Sequence, residues 1–239
     1  MIATTLSMER TTESSQLPQP RLAGLLYLLT IVFGVSAEML RGKLVVSTDA
    51  AATATNILAH PNLLRLGIAA NLLGDACYVA VTALFYYLFK PVNRSVSLIA
   101  AFMSLVGCAM GAVSCAFDVV PSMFLGEPPF AAFGVEQSQG LALLFFKAAG
   151  QAYRTGMVFF GFYCVLIGYL AFRSTFMPRF VGVLMALAGI GWLTFLWPPL
   201  AKSLASVLML GGLIGEGSIM VWLLLMGVNV ERWRDQGAA

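Results

Sequence analysis

The chain has 239 residues, of which 59% are hydrophobic and only 10% charged, with a formal charge of +3 and a mean hydropathy of +0.86. Soluble globular chains carry about 25% charged residues, so these charges are too few to cover a soluble core of this size. A soluble fold is excluded. The scattered basic residues, with no Lys/Arg cluster, exclude nucleic acid as a partner.

Taken in chain order, residues 1–20 are rich in Ser, Thr, Gln and Pro and read as a disordered cytoplasmic tail. Apolar runs of about 20 residues are long enough to cross a bilayer as helices. Six such runs follow, at roughly 22–40, 64–89, 97–120, 152–172, 178–200 and 203–228. They are continuously apolar rather than alternating, which excludes a β-barrel. The expected fold is all-α: a polytopic membrane protein with six transmembrane helices in one bundle over 21–233, and a C-terminal tail at 234–239. Short extra helices are expected in the outer loops. One lies at 47–60, capped by Ser47 or Thr48 with Asp49 in its first turn. Another is a surface or half-inserted helix at 136–151 that runs into the fourth span.

Lys/Arg asymmetry sets orientation. With both termini cytoplasmic, the inner side carries Arg10, Arg21, Lys90, Arg94, Arg173, Arg179, Arg232 and Arg234, and the outer side Arg41, Lys43, Arg65, Lys147, Arg154 and Lys202. Placing Lys147 and Arg154 at membrane depth sharpens the bias, and both termini are assigned inside. A rival reading makes the first apolar run a signal peptide cleaved near Val35-Ser36-Ala37; the long, partly acidic segment before it favours an uncleaved span.

Residues three and four apart share a helix face, and on that spacing five of the six spans carry a polar stripe. The first has Thr30, Gly34 and Glu38, followed by Arg41. The second has Asn71, Asp75, Tyr78, Thr82 and Tyr86; the third has Ser104, Cys108, Gly111, Cys115, Asp118 and Ser122. The fourth begins with Lys147, Gln151 and Arg154 on one face beside Tyr153, and the sixth aligns Gly212, Glu216 and Met220. The fifth has no ionisable residue within its apolar stretch; it offers Gly182, Ala186 and Gly189 for close packing, then Trp192, Trp197, Pro198 and Pro199 toward the outer interface.

A charge within a span costs at least about 2.5–3.5 kcal/mol on insertion scales and usually faces a bundle interior or a cavity. The stripes therefore predict a polar pocket between helices, opening outward and narrowing toward Asp75 and Glu216. The candidate ligand- or ion-binding residues are Asp75, Glu216, Asp118, Arg154, Glu38, Asn71, Tyr78 and Gln151. Each has a plainer reading. Glu216 and Asp75 would each be protonated or locked in a buried pair with Arg154, Glu38 and Arg41 would form a local pair at a helix end, and Lys147 would snorkel to the surface. Gly211 and Gly215 read as helix packing rather than a dimer contact.

No catalytic, cofactor or metal motif is found. A single histidine, His60, rules out a multi-histidine zinc site. Cys77, Cys108, Cys115 and Cys164 lie within spans, form no CxxC pair and suggest no disulfide.

Several blocks in order, RLAGLLYLLTIVFG at 21–34, DAAATATNILAHPNLLRLG at 49–67, FFGFYCVLIGYLAFRSTFMPRFVGVLMALAG at 159–189 and LIGEGSIMVWLLLMGVNVERW at 213–233, resemble the bacterial membrane-protein family called domain of unknown function 4386. The resemblance implies a six-helix protein of the bacterial inner membrane and carries no activity or catalytic residue with it. The leading functional expectation is a membrane protein whose outward pocket binds a small or lipophilic ligand. A small proton- or cation-coupled transporter, which dimerisation would help to build, is the alternative, and a membrane-embedded enzyme ranks last. Membrane lipid, a small-molecule ligand and a second copy of the chain are the expected partners.

Overall fold

The computed structural model describes residues 19–125 and 134–238, and all its regular structure is helical. The segment read as an N-terminal tail lies almost wholly outside the described residues. The first helix, α1, runs Pro20–Leu44; Pro20 sits at its start, where a missing N–H is harmless, and Arg41 and Lys43 complement its C-terminal dipole. The short α2, Ala50–Ala59, is capped by Asp49, whose carboxylate accepts from the Ala52 N–H at 2.9 Å. The cap is therefore Asp49 itself, one or two residues later than Ser47 or Thr48.

Pro61 opens α3, Pro61–Phe89, and the Asn93 side chain caps α4, Arg94–Phe124, by accepting from the Val96 N–H at 3.0 Å. Helix α5, Val135–Arg173, is one continuous helix of 39 residues. The segment at 136–151 is helical and runs unbroken into the fourth span, as its sequence suggested. Gly140 and Gly150 tolerate a helix interior, and no proline breaks the run. At about 1.5 Å per residue α5 is close to 60 Å long, about twice the hydrocarbon thickness of a bilayer.

Helix α6, Arg179–Leu193, ends earlier than its apolar run, passing into a 3₁₀ turn at Thr194–Leu196 and the short α7, Pro198–Ser203. Helix α8, Ala205–Leu225, is followed by a turn at Gly227, the single described glycine with positive φ (68°), and by α9, Val230–Ala238. Six of these elements, α1, α3, α4, α5, α6 with its 3₁₀ extension, and α8, are long and apolar enough to cross a membrane.

The six spans form a ring. Each packs against its neighbour in the chain, and α8 closes the ring by packing against both α6 and α1. An even number of spans returns both ends of the described chain to one side, where Pro20 touches Gly227. Helix α9 lies across this terminal end. Trp233 donates to the Leu88 carbonyl at 2.8 Å and Gln236 to the Arg173 carbonyl at 3.3 Å, so α9 satisfies orphan carbonyls at the last turns of α3 and α5. The segment after 233 is therefore part of a docked helix rather than a trailing end.

The terminal half of the ring is filled. Tyr27, Val81, Phe85, Phe89, Tyr163, Ile167, Leu170, Ile219 and Leu223 are all buried in one cluster. A second, smaller cluster at the opposite end joins Leu44, Ala54, Ile57, Leu64 and Phe146, seating α2 against α5. Helix α5 packs very closely against α6. A Cβ on Gly182 would lie 2.5 Å from the Phe172 nitrogen, and one on Gly189 2.6 Å from the Gly161 carbonyl oxygen. Both partners are backbone, so neither can move aside.

Overpacking a filled interface costs roughly 1–3 kcal/mol or more, so Gly182→Val should lower the melting temperature and reduce folded yield in detergent. Gly217→Ala adds its methyl to open space with nothing within 4 Å. It should leave the melting temperature unchanged or slightly raised, since alanine is the better helix former by about 1 kcal/mol. Thermal denaturation followed by circular dichroism checks both.

Candidate functional site

Between the filled half and the opposite end of the ring lies a cavity of about 920 Å³. It is lined by seven of the eight residues singled out from the sequence: Glu38 from α1, Asn71, Asp75 and Tyr78 from α3, Asp118 from α4, Arg154 from α5 and Glu216 from α8. Gln151 is not in the wall; its side-chain oxygen accepts from the Arg154 guanidinium at 3.2 Å and so helps to orient that cation. Arg41, Lys147 and Tyr153 also line the space, and Arg65 does not.

The floor is a hydrogen-bonded chain across four helices. Glu216 accepts from the Tyr27 hydroxyl at 2.8 Å on one carboxylate oxygen and from the Trp192 indole N–H at 2.7 Å on the other. With the Tyr27 proton committed to Glu216, Tyr78 donates to the Tyr27 oxygen at 3.3 Å. Helices α3, α1, α8 and α6 are joined in that order. Trp192 is therefore a buried partner of Glu216 (9% exposed) and not an interfacial residue, whereas Trp197 remains 67% exposed. Gly212 makes this geometry available: a Cβ there would fall on the Trp192 ring, so only glycine lets the indole lie against α8 one turn from Glu216.

The mouth is organised by Arg41. Its guanidinium pairs with Asp118 on α4 and donates to the Phe146 carbonyl on α5 at 2.7 Å, stacking over the Phe146 ring at 5.6 Å. Helix α1 has neither α4 nor α5 as a ring neighbour, so this one side chain reaches across the top of the cavity. The expected local pair of Glu38 with Arg41 is not formed, because Asp118 and a backbone carbonyl together satisfy the guanidinium fork better than one exposed carboxylate. Lys147 is exposed and lines the cavity, and Arg154 has no carboxylate partner among the described residues.

Asp75 differs from Asp118 and Glu216, and from Glu38, which is exposed. It lies between floor and mouth, beside the Thr30–Gly34 turn of α1, which packs on Gly74. Its Oδ2 is buried against Gly111 of α4, where an added Cβ would sit 2.5 Å away, and has no hydrogen-bond partner. Among the described residues no donor or cation meets this carboxyl group at all. The lower stripe is satisfied instead within itself, with the Thr82 and Ser104 hydroxyls 2.6 Å apart.

Sequence spacing missed Tyr27 and Trp192 as partners of Glu216. Trp192 sits in an apolar run with no polar residue in register, whereas Tyr27 lies three residues before Thr30 and extends the first span's stripe; only the ring closure brings either of them to Glu216. Arg41 carried a signal, as the residue following the Thr30–Gly34–Glu38 stripe.

Six apolar spans around a charged interior make this a multi-pass integral membrane protein. The chain belongs to the family described as Domain of unknown function (DUF4386), whose profile matches residues 22–227. No curated protein and no solved structure matches the chain.

In Glu216→Gln the amide retains one good acceptor, so the Tyr27 hydroxyl or the Trp192 N–H loses its partner. A buried bond of this kind is worth roughly 1–2 kcal/mol, and the melting temperature should fall accordingly. Trp192→Phe should lower it too, and the effects of the two substitutions should not simply add, because the residues are bonded to each other.

Proposed function

We propose that this protein binds a small lipophilic molecule in the cavity between its helices, with Asp75 as the group that meets the ligand's polar end. The observation that carries the reading is the contrast among three acids. Asp118 has Arg41 and Glu216 has two donors, while Asp75 has no partner and borders a large space. A carboxyl group within a span is costly unless something satisfies it. The wall supports an apolar ligand body: Ile31, Leu63, Leu64, Ile68, Met157 and Phe160 contribute to it beside the charges. Pockets between bundle helices, mostly apolar with a few placed polar groups, are common ligand sites.

The chain lies in the bacterial inner membrane with both termini cytoplasmic and the cavity mouth outward, a reading supported by the Lys/Arg distribution between loops. A proton- or cation-coupled carrier built on the same lone carboxylate is the competing reading. The filled terminal half of the ring weighs against it, since it leaves no continuous path in this state.

Native mass spectrometry of the protein released from nanodiscs tests the proposal. The wild type should carry a discrete additional mass. A hydrogen bond to a charged group is worth about 1.5–3 kcal/mol, so Asp75→Asn should weaken retention by about 10- to 100-fold while remaining folded. Gly111→Ala, which pushes on the Asp75 carboxyl group without removing it, should weaken it in the same direction. Retention unchanged in both folded variants would overturn the reading, and pH-driven flux lost in Asp75→Asn would favour the carrier.

A further inference from the structure

The ring is not closed along its full height. On α1, the face turned toward α8 is buried or half-buried at Gly24, Tyr27, Leu28 and Ile31 and becomes exposed at Gly34, Val35, Glu38 and Gly42. The facing stripe of α8 behaves in mirror image: Met220 is buried, Glu216 half-buried, and Leu213, Leu210 and Met209 are 58%, 61% and 64% exposed. The two helices meet backbone to side chain at Gly24 and Leu224, where a Cβ on Gly24 would lie 2.7 Å from the Leu224 nitrogen. At Gly34 and Gly211 an added Cβ would meet nothing within 4 Å. They therefore splay from the Tyr27–Glu216 contact upward.

The residues at the edge of this gap, Gly34, Val35, Leu210 and Leu213, also line the cavity. They are apolar, and they belong to segments that span the membrane. The gap therefore faces acyl chains rather than water. It lies at the level of Asp75, since Gly74 packs against Thr30, Phe33 and Gly34.

We propose that this gap is a lateral portal and that the ligand of the cavity is an amphiphile that enters from the bilayer. Its head is a hydrogen-bond donor, an amine or a hydroxyl, that reaches Asp75. Its single apolar chain runs back out between α1 and α8. The proposal rests on Asp75 as the ligand-facing group and adds the ligand's class and route. At Asp75 an acidic head would find no donor and would stand beside Glu38; the cavity cations without a carboxylate partner among the described residues, Arg154 and Lys147, lie on α5, which is a ring neighbour of neither α1 nor α8.

Photolabelling in liposomes tests it. Three long-chain probes bearing the same aliphatic diazirine, an alkylamine, an alcohol and a fatty acid, are incorporated in the membrane and photolysed, and adducts are mapped by peptide mass spectrometry. The amine or the alcohol should label cavity groups, Asp75, Glu38 or Glu216, and the fatty acid should label lipid-facing residues only. Gly34→Phe, which fills the gap from a position with room for the ring, should abolish cavity labelling while leaving lipid-facing adducts intact. Leu187→Phe on the outer face of α6, where Leu187 is 57% exposed, should change nothing.

Cavity labelling that persists at wild-type level in Gly34→Phe, or that arises only from a water-soluble diazirine, would overturn the portal. Equal cavity labelling by the fatty acid would overturn the choice of head group. If the copurified mass is lost in Asp75→Asn while membrane probes never reach the cavity, the binding site stands and only the bilayer route fails.

Discussion

A carboxylate placed in the middle of an apolar helix must be met by donors from elsewhere, and Glu216 is met from both sides at once. Its two oxygens take a hydroxyl from α1 and an indole N–H from α6, the two helices that flank α8 in the ring. Helix α8 is the last of the six described spans, and these bonds and the small residues around them determine where the ring closes. A leucine at 216 would suit the bilayer better in isolation, but it would leave the Trp192 N–H buried with no partner and the Tyr27 hydroxyl with Tyr78 alone. The charge is thus retained by its context. The same contact sets the floor of the cavity, because the helices pack fully on one side of it and diverge on the other.

Glycine decides where helices touch. Along α5 and α6, Gly161, Gly168, Gly182 and Gly189 let the backbones approach until an added Cβ at any of them would meet backbone at 3.0 Å or less. Along α1 and α8 this happens at Gly24 alone, while Gly34 and Gly211 face open space. In lipid, where apolar surface gains little by leaving the solvent, such close approach is the main source of helix association. The contrast between the close α5–α6 seam and the α1–α8 seam, which is close over only part of its height, follows from that difference. Arg41 compensates at the open end, bracing α1 against α4 and α5 across the cavity with an ion pair and a carbonyl bond.

Much of this arrangement was legible in the sequence. Six spans follow from run length, the inward faces follow from polar residues at steps of three and four, and the Gly182–Ala186–Gly189 face does pack closely as its spacing suggested. Seven of the eight stripe residues meet in one cavity because a polar residue in a span has few other places to go. What periodicity withheld was pairing. It brings a residue to the interior without saying which interior residue it meets, so Arg41 was assigned to its neighbour Glu38 rather than to distant Asp118. Aromatic donors were invisible for a related reason: Tyr27 and Trp192 read as apolar filler or interface anchors until a carboxylate from another helix arrives. Element ends misled where a better cap followed a good one, as at Asp49.

Pairing is also what separates architecture from function in this protein. Before the helices are assembled, Asp75, Asp118 and Glu216 are equivalent: three acids on three apolar stripes. Assembly consumes two of them. Asp118 holds Arg41 across the mouth and Glu216 holds α8 to the floor, and removing either should be felt first as instability. Asp75 contributes no bond to the bundle, and its carboxyl group presses on Gly111, a residue without a side chain. A bundle selected for stability alone has no use for that group, because an uncharged residue would pack against Gly111 without the desolvation cost. Its presence beside a cavity that opens at the same depth is therefore most simply accounted for by something that comes and goes.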